Sequence, residues 1–260
     1  MKGMILEFTI AIGHAKIKKP KYRKSEENSM IIGIIGAMEE EVSILKEAME
    51  VQETVEYAAM TFCKGVLCGK EVVVVRSGIG KVNAGICAQI LVDKFNAEVL
   101  INTGIAGSLD AAIDIGDMVI STDLVEHDMD AVAFGYPVGQ IPRMDVFAFP
   151  ADPVLVEKAA AANAEANPDI KTFKGRIVSG DQFVSSAEVK ERLIANFQGK
   201  CTEMEGAAIA HAAYLNQVSC VIIRAISDKA DNSASMDYPA FEKKAIEHSV
   251  RLVQNLLPRI

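Results

Sequence analysis

The sequence predicts an α/β fold, a largely parallel sheet with helices on both faces. Three observations carry this expectation. From Met30 onward, apolar β-branched runs alternate with stretches of helical period, the pattern of strand and crossover helix. Half of the 260 residues are hydrophobic, enough for a sizeable core. No Pro/Gly/Ser linker or internal repeat interrupts the alternation, so residues 30–260 read as one domain.

The elements follow in order. "MIIGIIG" (30–36) is a short β-branched strand, and "EEEVSILKEAME" (39–50) has helical spacing. "TFCKGVLCGKEVVVVRSG" (61–78) reads as a hairpin with Cys68, Gly69 and Lys70 near its turn. A helix is expected over "KVNAGICAQILVDKF" (81–95), then strands in "AEVLINTG" (97–104) and "GDMVISTDLV" (116–125). "DPVLVEKAAAANAEA" (152–166) is an alanine-rich helix with Pro153 near its start. "DIKTFKGRIVSG" (169–180) contains a strand. Helices are expected in "SSAEVKERLIANF" (185–197) and "MEGAAIAHAAYLN" (204–216). "QVSCVIIRAIS" (217–227) is a strongly apolar strand, and "PAFEKKAIEHSVRLVQNLL" (239–257) is the closing helix.

Residues 1–29 differ from the rest. An apolar stretch containing Glu7 precedes the basic run "KIKKPKYRK". It is too short to span a bilayer, and its charges lie on the wrong side for a secretory signal. It reads as a disordered extension or an upstream start, with a lipid-surface anchor as the lesser alternative. The net charge of −8 argues against nucleic-acid and anionic-membrane partners. Five cysteines without a Cys-x-x-Cys, and four scattered histidines, suggest reduced thiols in the cytoplasm and no metal site.

In parallel sheets ligands gather at the carboxyl ends of strands, so the residues after each apolar run are the candidates. After the first strand come Glu39, Glu40 and Glu41. Acids at a helix start each gain about 0.3–1 kcal/mol. Glu41, however, lies three residues after Met38 and four before Leu45, on the apolar face. A carboxylate there is costly unless paired or put to use. "RSGIGKVNAG" lacks the third glycine of a dinucleotide loop, because Asn83 stands in its place. "INTGIAGSLD" ends in small residues that allow close backbone approach or simply a turn. In "VSGDQFV", Phe183 could stack on a planar ligand or merely pack. Glu205 opens a helix on the face of Ala208, Ile209 and Ala212. Ser227 and Asp228 end the last strand, where Asp228 could equally be a turn residue. Arg224, inside that strand, needs Glu205 or Glu203 as an acidic partner if buried.

Together, "IGIIGAMEEEV", "SGIGKVNA", "INTG" with "AG", "HDMDAVAFGYPVGQIP", "IVSGDQF", "EMEGAAIAH" and "RAISDKAD" run in order along nearly the whole domain. In these motifs the chain resembles the methylthioadenosine/S-adenosylhomocysteine nucleosidases of the nucleoside phosphorylase superfamily. The resemblance implies a three-layer α/β/α sandwich on a mixed sheet, a homodimer, and no cofactor. It implies hydrolysis of the bond between adenine and a 5-thioribose. Asp228 would protonate adenine N7, and Glu41 would activate the attacking water. Glu205 and the backbone of Met204 would hold the ribose hydroxyls. Phe183 would stack on the base while Val184 backbone groups read its edge. Met38, Ile79 and Tyr238 would line the thioalkyl pocket, and Ala106, Gly107 and Ser227 would complete the substrate-binding set. Phe134 and Pro142 would reach into the partner subunit's site.

The residue types suit this chemistry. An N-glycosidic bond breaks with positive charge growing on the sugar, so the base must gain a proton and water must lose one. Each such transfer is worth ~10²–10⁴-fold. The superfamily's phosphorylases carry an arginine-bearing phosphate loop where this chain has "GAMEEE", which favours water over phosphate. One departure stands out. Ile105 occupies a position where the family commonly has serine, so a hydrogen bond to Asp228 is lost or falls to Ser227. The alternatives are a phosphorylase, a hydrolase of another 5'-modified adenosine such as aminofutalosine, and a nucleoside-binding module without turnover.

Overall fold

Strand alternation builds the core before any helix is considered. In the computed structural model, which describes residues 30–231 and 233–260, successive residues of the first strand face opposite ways. Ile32 and Ile34 join one apolar cluster and Ile35 the other. The expected extension at residues 1–29 lies outside the described residues.

The described elements are β1 (Ile32–Gly36), α1 (Glu39–Ala48), β2 (Glu50–Tyr57), β3 (Met60–Leu67), β4 (Lys70–Arg76), α2 (Lys81–Phe95), β5 (Val99–Ser108), β6 (Met118–Glu126), β7 (Phe149–Pro150), α3 (Pro153–Ala166), β8 (Thr172–Ser179), α4 (Ala187–Phe197), β9 (Cys201–Glu203), α5 (Gly206–Asn216), β10 (Ser219–Asp228) and α6 (Ala234–Leu256). One cluster packs Val72 and Val74 against Leu45 of α1, Leu155 of α3 and Val250 of α6. The other packs Val73 and Val75 against Leu91 of α2 and Ile209 of α5.

The sheet is mixed. Five pairings are parallel: β1–β4, β1–β5, β10–β5, β6–β8 and β8–β9. Five are antiparallel: β10–β6, β2–β3, β3–β4, β5–β9 and β6–β7. The expectation of a largely parallel sheet therefore describes the centre, while hairpins and short strands supply the rest. Because β10 pairs with both β5 and β6, the strands β5, β10, β6, β8 and β9 close into a ring, and β1, β4, β3 and β2 extend from β5.

Local chemistry sets several boundaries. Asp152 caps α3, accepting N–H bonds from Val154 (2.8 Å) and Leu155 (3.1 Å), with Pro153 at the first helical position. The β3–β4 turn falls at Cys68 (φ +48°) and Gly69 (φ +74°), as the hairpin reading expects. Two boundaries differ from expectation. β5 continues through Ser108, so its small residues are strand, not loop. α6 starts at Ala234 with Pro239 inside it, at the cost of one backbone bond. The strand β2 has no counterpart in the sequence reading, because nearly all of it is exposed and no alternation marks it.

Candidate active site

The parallel strands β1, β5 and β10 end on the same side of the sheet, and β9 lies across the end of β5, with Thr202 opposite Gly107. A cavity of about 510 Å³ opens there. Of the residues expected at the site, Met38, Glu41, Ile79, Ala106, Gly107, Phe183, Val184, Met204, Glu205, Ser227, Asp228 and Tyr238 all line it. Phe134 and Pro142 do not; both lie exposed on their own chain, Phe134 at 84 %. Ala37, Gln182, Thr202 and Glu203 also line the cavity, and the sequence reading gave none of them a place there. Only Glu203 carried a signal, as a possible partner for Arg224.

The helical period separates the three glutamates as expected. Glu39 faces solvent and pairs with Lys46 at 2.8 Å, and Glu40 is exposed. Glu41 turns inward and is buried. Its Oε2 accepts N–H bonds from Ala37 (2.6 Å) and Met38 (3.0 Å), and its Oε1 accepts one from Ile105 (3.3 Å). Burial raises its proton affinity above that of an ordinary glutamate, against the opposing pull of Arg224 and these three N–H groups. Space for the carboxylate comes from Gly104, where a Cβ would sit 2.5 Å from Glu41 Oε1.

Arg224 lies behind this group, almost fully buried. It pairs with Glu203, hydrogen-bonds Asn102 Oδ1, and donates to the Ile223 carbonyl at 3.1 Å. Glu203 also accepts from the Ser179 hydroxyl and from the N–H groups of Glu205 (3.1 Å) and Gly206 (2.8 Å). Burial alone would raise the pKa of Glu203, but Arg224 and these donors outweigh it and hold the group ionised. Glu205 is left with a more distant Arg224, 3.9 Å away, and one N–H bond from Gly80 at 2.8 Å. Burial and the charge of Glu203 push it up to about 7, so it holds a proton at far higher pH than an ordinary glutamate does.

Asp228 closes β10 just after an irregularity in its pairing with β5. Its Oδ2 accepts from the Ser227 hydroxyl at 2.8 Å, and its Oδ1 accepts the Ala230 N–H at 2.8 Å. Ser227 thus makes the bond that Ile105 cannot. Ala230 turns its N–H back through a left-handed conformation, φ +51°. A Cβ on Gly107 would lie 2.7 Å from Asp228 Oδ1. The small residues of β5 therefore clear room for two carboxyl groups.

Apart from Gln182, Thr202 and Ser227, the rest of the wall is apolar. Phe183 meets Tyr238 edge-on, with centroids 6.0 Å apart and an interplanar angle of 90°. The Tyr238 hydroxyl lies 2.9 Å from Glu242 Oε1 and 3.4 Å from Met38 Sδ. Ile79 stands half exposed. The site combines carboxyl groups of differing proton affinity with a flat aromatic face, an arrangement suited to acid–base chemistry on a planar, partly apolar ligand.

Comparison with known proteins agrees. The profile of the phosphorylase superfamily matches residues 31–258. A 5'-methylthioadenosine/S-adenosylhomocysteine nucleosidase of Staphylococcus aureus (strain JH9) is 43% identical over 231 residues, covering 88% of this chain and 100% of that one. The crystal structure of the Neisseria meningitidis 5'-methylthioadenosine/S-adenosylhomocysteine nucleosidase in complex with methylthio-immucillin-A superposes with a TM-score of 0.85 at 38% identity, over 88% of this chain and 99% of that one. The futalosine hydrolase of Helicobacter pylori gives a TM-score of 0.84 at 34% identity, over 89% and 99% of the two chains. This chain belongs to the 5'-methylthioadenosine/S-adenosylhomocysteine nucleosidase family, within the phosphorylase superfamily.

Proposed function

We infer that this chain hydrolyses the N-glycosidic bond of 5'-methylthioadenosine and S-adenosylhomocysteine, releasing adenine and the 5-thioribose product. One observation carries the reading: Glu41, Glu205 and Asp228, from three distant segments, face one cavity whose remaining wall is largely apolar. In this reading Asp228 gives its proton to adenine N7 as the C1'–N9 electron pair passes to the base. Glu41 takes a proton from the water whose oxygen bonds to C1'. Glu205 and the backbone of Met204 hold the ribose hydroxyls. Phe183 stacks on the base beside the Val184 backbone, with Ala106, Gly107 and Ser227 around them. Met38, Ile79 and Tyr238 surround the 5'-thioalkyl group.

Water is favoured over phosphate on electrostatic grounds. Among the described residues, the cavity is lined by Glu41, Glu203, Glu205 and Asp228 and by no arginine or lysine. A phosphate anion would meet like charge there, in a setting of low dielectric. The test is chromatography of the products from 5'-methylthioadenosine with and without phosphate. Adenine and free 5-methylthioribose under both conditions are expected. A sugar phosphate formed only with phosphate would make the chain a phosphorylase, and no adenine at all would end the reading. The likeness to a futalosine hydrolase supports a second reading, action on another 5'-modified adenosine such as aminofutalosine. A panel of 5'-substituted adenosines ranked by kcat/KM separates the two.

The same reading makes residues 30–260 one nucleosidase domain. Two apolar clusters on opposite faces of the sheet support a three-layer α/β/α arrangement. It also makes the enzyme a homodimer in which Phe134 and Pro142 reach the partner's cavity. Five free cysteines, three of them buried, support a reducing compartment, the cytoplasm. No described helix is long and apolar enough to cross a membrane.

A further inference from the structure

We propose that Lys190 of α4 is a positioning residue for Asp228, acting through the peptide group between Lys229 and Ala230. The proposal rests on the nucleosidase reading, in which Asp228 is the proton donor. Lys190 Nζ donates to the Lys229 carbonyl at 2.5 Å. The N–H of that same peptide, on Ala230, donates to Asp228 Oδ1 at 2.8 Å. A cation on one end of an amide polarises it and strengthens the hydrogen bond made at the other end. Lys190 thus reaches the carboxyl group without touching substrate.

The surroundings of Lys190 are those of a clasp. Its side chain is only 18% exposed and lies 3.6 Å from Asp231 Oδ2. A lysine on a helix surface ordinarily leaves its ammonium in water, and ordering its stem costs rotamer freedom. The packing of α4 does not require it, because Leu193 and Phe197 are that helix's buried residues. The loop it holds needs holding. Ala230 sits at φ +51°, a left-handed conformation that is strained for a residue with a Cβ. From the other side, Lys229 Nζ anchors the loop to the Ile113 carbonyl at 2.5 Å. The Asp231 carboxylate accepts from the Ser233 N–H at 3.0 Å.

Placement on α4 adds a consequence. The helix begins at Ala187, directly after the loop that carries Phe183 and Val184. One rigid element therefore carries the base-stacking loop at its start and the clasp on the proton donor one turn later. The base seat and the clasp on the acid thus share one scaffold.

The experiment compares two leaving groups in the full-length enzyme. Adenine must be protonated to depart, whereas 4-nitrophenolate departs unaided, so 4-nitrophenyl 5-methylthio-ribofuranoside bypasses the acid. Lys190→Met is expected to lower kcat on 5'-methylthioadenosine at least about tenfold, part of the ~10²–10⁴ that a general acid supplies. KM and turnover of the nitrophenyl substrate should stay within about twofold of wild type, the spread of a contact without a role in that step. Asp228→Asn sets the limiting pattern, and Lys190→Arg should recover most of the loss. Should Lys190→Met melt early, Lys190→Gln carries the same comparison with a neutral donor. Equal losses on both substrates, or no loss on either, would overturn the proposal. A wild-type enzyme that releases no adenine removes the nucleosidase reading, and this role with it.

Discussion

Glu39 and Glu41 stand two residues apart in one helical turn, yet one is held by solvent and Lys46 and the other by three backbone N–H groups. That difference sets what a substitution does. Glu41→Gln keeps an oxygen for Ala37 and Met38 but turns an amide NH₂ toward the Ile105 N–H. Two donors then face each other, at about 1–3 kcal/mol, and the base is gone. Asp228→Asn likewise removes the transferable proton. Each variant is expected to lose ~10²–10⁴ in adenine release while nucleoside binding persists by calorimetry; near wild-type turnover in either sinks that role. The inward turn of Glu41 was legible because helical period alone separates it from Glu39. The state of Glu205 was not. Its affinity for protons depends on its burial, on Glu203 and on Arg224, and how these combine follows from packing that no local spacing encodes.

At the scale of the element, β5 matters most for the site. Its residues Gly104 and Gly107 lie opposite Arg224 and Asp228 of β10, and each lacks a Cβ where a carboxyl group stands. Gly104→Ala would put a methyl 2.5 Å from Glu41 Oε1 and 3.3 Å from Arg224 Nη1. Glu41 cannot retreat without losing its bonds to Ala37 and Met38. The expected result is a loss of about 1–3 kcal/mol in stability and at least about tenfold in kcat, or about 1.4 kcal/mol of barrier. Thermal melts and steady-state kinetics check both. Full kcat in Gly104→Ala would mean that Glu41 is free to shift and is not held for its task. Small residues at this position were visible in the sequence, but a turn explained them equally well, since only the fold reveals what approaches the strand. The β3–β4 hairpin was legible from its valines and its turn. β9 was not, because three residues are too few for a periodicity, although Glu203 closes it. Ring closure through β10, β6, β8 and β9 likewise depends on pairings distant in sequence.

For the whole molecule, the surface left uncovered is the guide. Phe134 (84%), Val82 (71%) and Leu215 (63%) are large apolar residues facing solvent, on the 132–134 turn, α2 and α5. The segment leading to Phe134 is tied to the start of α2, since Lys81 bonds Asp128 at 2.6 Å and Glu126 at 3.0 Å. Lys81 also helps to line a second hollow, together with Val82 and Leu215. Exposed apolar side chains beside such a hollow suit an interface. In the proposed homodimer a second copy of the chain would give Phe134 a purpose, because on its own chain it does not line the cavity. Sedimentation at micromolar concentration should therefore report a dimer. Phe134→Ala should raise KM by about tenfold, the 1.4 kcal/mol expected of a truncated aromatic anchor, with kcat falling less. Mixing Phe134→Ala with Asp228→Asn then gives a sharper outcome. Each hybrid dimer holds one cavity with its own Asp228 and a partner's Phe134, so low-KM activity should return although neither parent has it. A monomer with full activity, or a mixture no better than its parents, would remove the shared site and leave each chain to bind substrate alone.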